Sequence, residues 1–219
     1  MNTGRTGMRP QAVLFDLDGT LSDSFADITT AINLTRADFG LVPVTLSEVR
    51  SRVGSGSAQL VRDMVPVPEE QFEQACTVYR AHYEAHLLDE THLYPGVTET
   101  LEHFGDRPLA VITNKGQAFS ERILAGLGIL DRFRMVLGGD SLPRRKPDPL
   151  PLLTALAEIQ VPPQSAVMVG DGVHDVRAGR AAGVVTVSLT SGVGTRRELA
   201  ALGPDHIIGR LAELRDLFS

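Results

Sequence analysis

Asp16 and Asp18 stand on either side of a single leucine at the end of the apolar run AVLFDL, and Gly19 and Thr20 follow directly. In extended chain, residues i and i+2 face the same way. Both carboxylates can then address one reacting centre, one as nucleophile and one as proton donor. Gly19 permits a tight turn or a close ligand approach. The Thr20 hydroxyl can steady the loop, and backbone N–H groups in such a turn can cradle phosphate oxygens. Polar groups also follow later apolar runs: Thr113, Asn114 and Lys115 after the second, then Gly170, Asp171 and Asp175 after the fourth. Lys146 lies in a proline-flanked loop, KPDP, downstream of the third.

Gathered in one crevice, Asp16, Asp18, Asp171 and Asp175 would repel one another. Two like charges about 4 Å apart cost roughly 4 kcal/mol at an effective dielectric of about 20. Such a cluster requires a cation within it, or protonation of some members. Carboxylates without a neighbouring His or Cys select a hard ion, and Mg²⁺ is the expected cofactor. The whole chain carries a formal charge of -6 and a pI of about 5.5, so it has no broad basic field for nucleic acid or an anionic membrane. An anionic substrate must therefore be attracted locally, and a cation beside Lys146 would reverse the field there.

Each of these residues also has a plainer reading. Asp16 and Asp18 suit a solvated strand end, Asp171 a helix N-cap, and Asp175 the acidic first turn of a helix. Lys146, beside Arg144 and Arg145, suits a basic loop.

The elements that must position these groups are short apolar runs at 12–17, 109–113, 135–137, 166–169 and 184–189. They end in small or polar residues and lack strict alternation, as strands buried on both faces of a parallel sheet do. Helix-length stretches at 97–104, 117–127, 150–159 and 173–182 separate them. This alternation predicts an α/β fold, a Rossmann-like three-layer α/β/α core whose ligands bind beyond the C-terminal strand ends. Residues 22–90 break the pattern with helical segments at 23–39 and 69–88, divided by Pro43, Gly54, Gly56, Pro66 and Pro68. In 23–39, Phe25, Ile28, Thr29, Ile32 and Ala37 form the expected apolar side. The reading is a core at 11–21 and 91–219 with an inserted helical cap at 22–90, hinged near 21–23 and 90–94.

The 219 residues allow one domain carrying a smaller insert, and 42% hydrophobic with 22% charged residues exclude a disordered chain. Cys76 is the single cysteine, which excludes an intrachain disulfide and a Cys-based zinc site and suits a reducing cytoplasm. Residues 1–10 have no signal-type apolar core and read as a short mobile tail, and no apolar run reaches bilayer length. The expected assembly is a monomer or a homodimer. His82 and His86 have helical i,i+4 spacing but no HExxH pattern, and suit a solvated helix face. Gly54-Ser55-Gly56-Ser57 follows no strand, unlike a serine-nucleophile elbow.

The motifs in order resemble the haloacid dehalogenase superfamily, specifically its phosphatases with a helical cap after the first motif. DLDGT (Asp16–Thr20), Thr113-Asn114 within VITNK, Lys146 in KPDP, and Gly170-Asp171 with Asp175 in GDGVHD match its four motifs in register. The resemblance implies that Asp16 attacks phosphorus and ligates Mg²⁺. It implies that Asp18 serves as acid and then base, with its backbone carbonyl reaching the metal. Thr113, Asn114, Lys115 and Lys146, with the Gly19-Thr20 turn, would hold phosphoryl oxygens. Asp171 would ligate Mg²⁺, and Asp175 would support metal or lysine. Arg52, Gly54, Ser55 and Gly56 of the cap form either a specificity loop, as in related caps, or a plain inter-helix connection.

Within that family, Asp18 favours phosphoryl transfer over dehalogenation. Ile28 stands where mutase members carry a cap histidine, and residues 22–88 contain no lysine for Schiff-base chemistry. The run GGDSLP before KPDP and the VGSG loop resemble the phosphoglycolate phosphatase branch. The expected substrate is a small phosphorylated metabolite, foremost 2-phosphoglycolate, with pyrophosphate, nucleotides or sugar phosphates as alternatives. A catalytically silent phosphate-binding protein would show no turnover.

Overall fold

Every residue of β1 (Ala12–Phe15) is buried, and its alternate side chains enter different cores. Val13 and Phe15 join one cluster, and Ala12 and Leu14 the other. A strand covered on both faces requires this. In the computed structural model, which describes residues 9–218, β1 is followed by β2 (Ser22–Asp23), α1 (Phe25–Asp38), α2 (Leu46–Arg50), α3 (Ser57–Met64) and α4 (Phe72–Ala85). Next come β3 (His92–Leu93), α5 (Val97–His103), β4 (Leu109–Ile112), α6 (Gln117–Gly126) and β5 (Met135–Leu137). The chain ends with α7 (Leu150–Glu158), β6 (Ala166–Gly170), α8 (Val173–Ala182), β7 (Val185–Leu189), α9 (Arg196–Leu202), β8 (His206–Ile208) and α10 (Leu214–Leu217).

Six strands form a parallel sheet in the order β5-β4-β1-β6-β7-β8. Leu152, Ala155 and Leu156 of α7 and Ala178 and Ala182 of α8 cover one face. Leu101 of α5, Ile123 and Leu124 of α6 and Leu214 of α10 belong to the other cluster. The fold is the expected three-layer α/β/α arrangement. Phe15 aligns with Val111 of β4 and with Val169 of β6, so the segments after these strands leave one edge at the same level.

Several expectations are corrected. β1 stops at Phe15, and the Leu17 carbonyl accepts the N–H groups of Thr20, Leu21 and Ser22. Asp16 still bonds across to Val169 of β6, but Asp18 lies in the turn that starts at Leu17, so the alternation rule does not relate the two side chains. β8, α9 and α10 add to the expected elements; β8 (HII) opens on a histidine and so carries only two apolar residues, too few to register as a run. Residues 22–90 do contain a strand, since β2 pairs antiparallel with β3. The buried side of α1 is Phe25, Ile28, Ala31, Ile32 and Thr35, while Ala37 is exposed. Of the expected tail, residues 1–8 lie outside the described residues, whereas Arg9 reaches Asp106 at 3.3 Å and Pro10 is buried.

The ribbon β2/β3 brackets the four inserted helices, of which α1 packs on α4. Its ends are fastened together: the buried Asp27 carboxylate accepts the Thr91 N–H at 2.8 Å and its hydroxyl at 2.6 Å. Among the described residues, no helix is long and apolar enough to cross a membrane.

Candidate active site

Three carboxylates from two strand ends meet beyond the sheet edge. Oxygens of Asp16, Asp171 and Asp175 lie within 4.8 Å of one another. Asp16 follows β1 directly and donates its N–H to Val169 of β6 at 2.9 Å. Asp171 follows β6, and Asp175 lies in the first turn of α8, where its Oδ2 accepts the Gly172 N–H at 3.0 Å. Lys146 Nζ stands 3.0 Å from Asp16 Oδ1 and 2.6 Å from Asp175 Oδ1. The Leu17 N–H also falls on Asp16 Oδ1, at 2.7 Å, and among the described residues Oδ2 accepts no hydrogen bond.

Asp171 is held from two sides. Thr20 Oγ1 donates to Oδ1 at 3.0 Å, and the Val193 N–H donates to Oδ2 at 2.6 Å. Gly19 has φ +81°, and a Cβ there would lie 2.3 Å from Asp171 Oδ2. Only glycine fits that conformation and that approach.

Asp18 has different partners. Ser24 Oγ donates to Oδ1 at 2.5 Å, and Lys115 Nζ lies 3.1 Å from Oδ2. Lys115 Nζ also donates to the Tyr83 hydroxyl at 2.6 Å, so its ammonium is turned to Asp18 and to the inserted α4. Thr113 Oγ1 accepts the Lys115 N–H at 3.2 Å. Both amide hydrogens of Asn114 are engaged, with Gly54 O at 2.8 Å and Lys146 O at 2.9 Å. Asn114 thus ties the inserted loop to the Lys146 loop. Ser55 Oγ meets His174 Nε2 at 3.0 Å, and the Arg145 guanidinium lies against Gly56. The loop at 52–56 is therefore seated on the core. His82 and His86 do not converge: each pairs with its own carboxylate, Asp38 and Asp89, at 2.7 Å.

A cavity of about 490 Å³ opens above these groups. Its lining includes Asp16, Asp18, Thr113, Asn114, Lys115, Asp171 and Asp175 from the core, with Arg52, Gly54, Ser55 and Gly56 from the insert. Ile28, Leu60, Tyr79, Tyr83 and Phe119 supply its apolar wall. Ser24, Tyr83, His174 and Val193 escaped sequence reasoning. His174 was legible inside GDGVHD, and the SGVGT run after the last long strand repeats the pattern of polar residues following an apolar run. Nothing local marks Tyr83 in a helix far from every motif.

The electrostatics suit a divalent cation. Burial raises the Asp16 carboxyl above its ordinary range, and Asp175 adds to this against the opposing pull of Lys146. Burial, then Asp16 and Asp175, push Asp171 up to about 8. Burial alone would depress the Lys146 ammonium, but Asp16 and Asp175 outweigh it and raise it. Burial, then Lys146, lowers His174 and favours neutral imidazole. Four carboxylates face two ammonium groups, which leaves two negative charges without compensation when all are ionised. An all-oxygen site of that charge fits a hard divalent ion.

Residues 13–189 match the sequence profile of haloacid dehalogenase-like hydrolases. The chain belongs to this family. Among similar hydrolases, the phosphoglycolate phosphatase of Chromobacterium violaceum is 37% identical over 215 residues, covering 94% of this chain and 96% of the relative. That of Neisseria meningitidis is 39% identical, covering 93% and 92%. A solved hydrolase described as a predicted phosphoglycolate phosphatase from Haemophilus somnus superposes with a TM-score of 0.92 at 31% identity, covering 96% of this chain and 99% of that one. These relatives place this hydrolase among the phosphatases of the family.

Proposed function

We propose that this protein is a Mg²⁺-dependent phosphomonoester hydrolase that works through a phospho-aspartyl intermediate on Asp16. The observation that carries this reading is the convergence of Asp16, Asp171 and Asp175 with Lys146 Nζ, 3.0 Å from the proposed nucleophile. Asp16 attacks phosphorus through its unengaged Oδ2, and the ester P–O bond breaks as Asp18 gives its proton to the leaving oxygen. Asp18 then takes a proton from water as that water attacks the acyl phosphate, which frees inorganic phosphate and restores Asp16. Asp16, Asp171 and Asp175 would hold the cation, together with the backbone carbonyl of Asp18. When bound, Mg²⁺ supplies charge neutralisation for the transferring phosphoryl group. Lys146 opposes negative charge on the phosphoryl oxygens, while the Gly19-Thr20 turn, whose N–H groups bond to Ser22 and Leu17, acts by holding Asp171. Thr113 holds them too, while Lys115 orients Asp18.

Residues 22–90 act in this reading as a cap that excludes water, hinged at the β2/β3 ribbon. Arg52 to Gly56 serve as its specificity loop, seated on Asn114 and His174. The substrate proposed is 2-phosphoglycolate, on the strength of the relatives' names. The cavity volume of about 490 Å³ favours a second class as well, since pockets of roughly 300–1,000 Å³ accept ligands of drug size. Nucleotides and sugar phosphates fall there. The site of action proposed is the cytoplasm. Phosphate release from 2-phosphoglycolate, pyrophosphate, nucleotides and sugar phosphates, with and without Mg²⁺, tests the proposal. Equal or faster release from the other esters would displace 2-phosphoglycolate, and turnover after full chelation would displace the metal.

A further inference from the structure

Arg50, the last residue of α2, donates from Nη2 to the carbonyls of Ser191 at 2.6 Å and Gly192 at 2.9 Å. Its guanidinium also lies 4.6 Å from the centroid of the Phe25 ring, which fixes its plane against α1. The two carbonyls belong to the loop between β7 and α9. The next two residues of that loop grip Asp171: the Val193 N–H donates to Oδ2 at 2.6 Å, and the Gly194 N–H donates to the backbone carbonyl at 3.0 Å. A Cβ at Gly192 would lie 2.0 Å from Asp171 Oδ2, so the loop backbone passes against the carboxylate itself. Four consecutive residues thus join an arginine of the insert to the side chain at the centre of the acidic cluster.

Among the described residues, only one oxygen of Asp171 is held by a side chain, the hydroxyl of Thr20. The other depends on the position of a backbone N–H in a glycine-rich loop that has no regular structure. Such a loop has many accessible conformations, and a charged donor bridging two of its carbonyls narrows them.

We propose that Arg50 is a positioning residue: by clamping Ser191 and Gly192 it keeps the Val193 N–H on Asp171 and so raises the protein's affinity for its cation. The proposal rests on Asp171 being a cation ligand. Seating of the insert and binding of the cation are then coupled, and the coupling acts equally in both directions. Groups that hydrogen-bond a metal ligand from outside tune affinity by about 10- to 100-fold, and Arg50 acts one step further out.

The test is calorimetric titration of Mg²⁺ into the metal-stripped full chain, compared with Arg50→Ala, Arg50→Lys and Asn33→Ala. Among the described residues, the Asn33 side chain bonds only to the Val44 backbone, within the insert, and makes no hydrogen bond to the loop. Arg50→Ala is expected to weaken Mg²⁺ binding by about 3- to 10-fold, below the range for a direct partner. Arg50→Lys, which keeps the charge and reaches one carbonyl, falls between Arg50→Ala and the parent and serves where Arg50→Ala does not fold. Asn33→Ala binds Mg²⁺ as the parent does. Affinity of Arg50→Ala within twofold of the parent, or an equal loss in Asn33→Ala, overturns the relay. A parent protein that takes up no Mg²⁺ overturns instead the assignment of Asp171 on which it rests.

Discussion

The ammonium of Lys115 stands 3.1 Å from Oδ2 of Asp18 and 2.6 Å from the hydroxyl of Tyr83. The proposed acid and base of the core is therefore steered by a tyrosine of the inserted α4. Tyr83→Phe keeps the ring under Lys115 but removes the acceptor. We expect it to slow hydrolysis of an alkyl phosphate by about tenfold, less than the roughly 10²- to 10⁴-fold contribution of a positioned acid because the acid itself remains. An aryl phosphate whose leaving group needs no proton should be slowed much less. Equal slowing of both esters, measured as kcat, would remove Tyr83 from this role.

Asp16→Asn should abolish turnover and the phosphorylated protein detectable by intact mass after rapid acid quench. Lys146 and the other carboxylates remain in place, so folding should persist, as read by thermal denaturation. Substantial phosphate release by Asp16→Asn would refute the covalent route.

The acidic cluster sets a pH dependence. Asp171 is raised from 3.8 to about 8 in the folded chain, and Asp16 is raised too. A raised carboxyl means that the folded state binds more protons than the unfolded one, so stability falls as pH rises from about 4 to about 8. The metal-free protein should thus lose thermal stability across that window. The gain on adding Mg²⁺ should grow with pH, because cation and proton compete for the same oxygens. A Mg²⁺-induced shift of the melting midpoint that is equal at pH 5 and pH 8 would contradict this.

Gly19→Ala places a Cβ 2.3 Å from Asp171 Oδ2 on a backbone of φ +81°. The conformation alone costs about 1–2 kcal/mol for a residue with a side chain. Displacement of Asp171 should weaken Mg²⁺ binding well beyond that loss of stability. Denaturant unfolding and metal titration on the same preparation separate the two effects. Unchanged cation affinity would show that Asp171 can bind the ion without the space that glycine leaves beside it.

Arg52 lines the cavity, and among the described residues it has no carboxylate partner. If the 52–56 loop reads an anionic leaving group, Arg52→Ala should raise KM for 2-phosphoglycolate by about tenfold, the equivalent of one modest charge-assisted contact of roughly 1.4 kcal/mol. KM for an alkyl phosphate whose leaving group carries no charge should move little, and parallel rises for both would leave the loop a plain connection.

Much of this protein is determined locally. The runs AVLF and AVMV are apolar at every position because strands covered on both faces must be, and that is visible without coordinates. The polar residues that follow those two runs and LAVI of β4, Asp16, Asp171 and Thr113, reach one edge because the strands are parallel and in register. The orientation of Asp18 was not visible, because β1 ends at Phe15 and the turn built on the Leu17 carbonyl replaces strand alternation. The partners of Lys115, His174 and Asp171 lie far away in the chain, on α4, on the 52–56 loop and beyond β7. Periodicity records which face of its own element a residue occupies. Which distant element covers that face is decided only when the insert packs on the sheet edge, and there Tyr83, Ser55 and Arg50 meet groups with which they share no sequence signal.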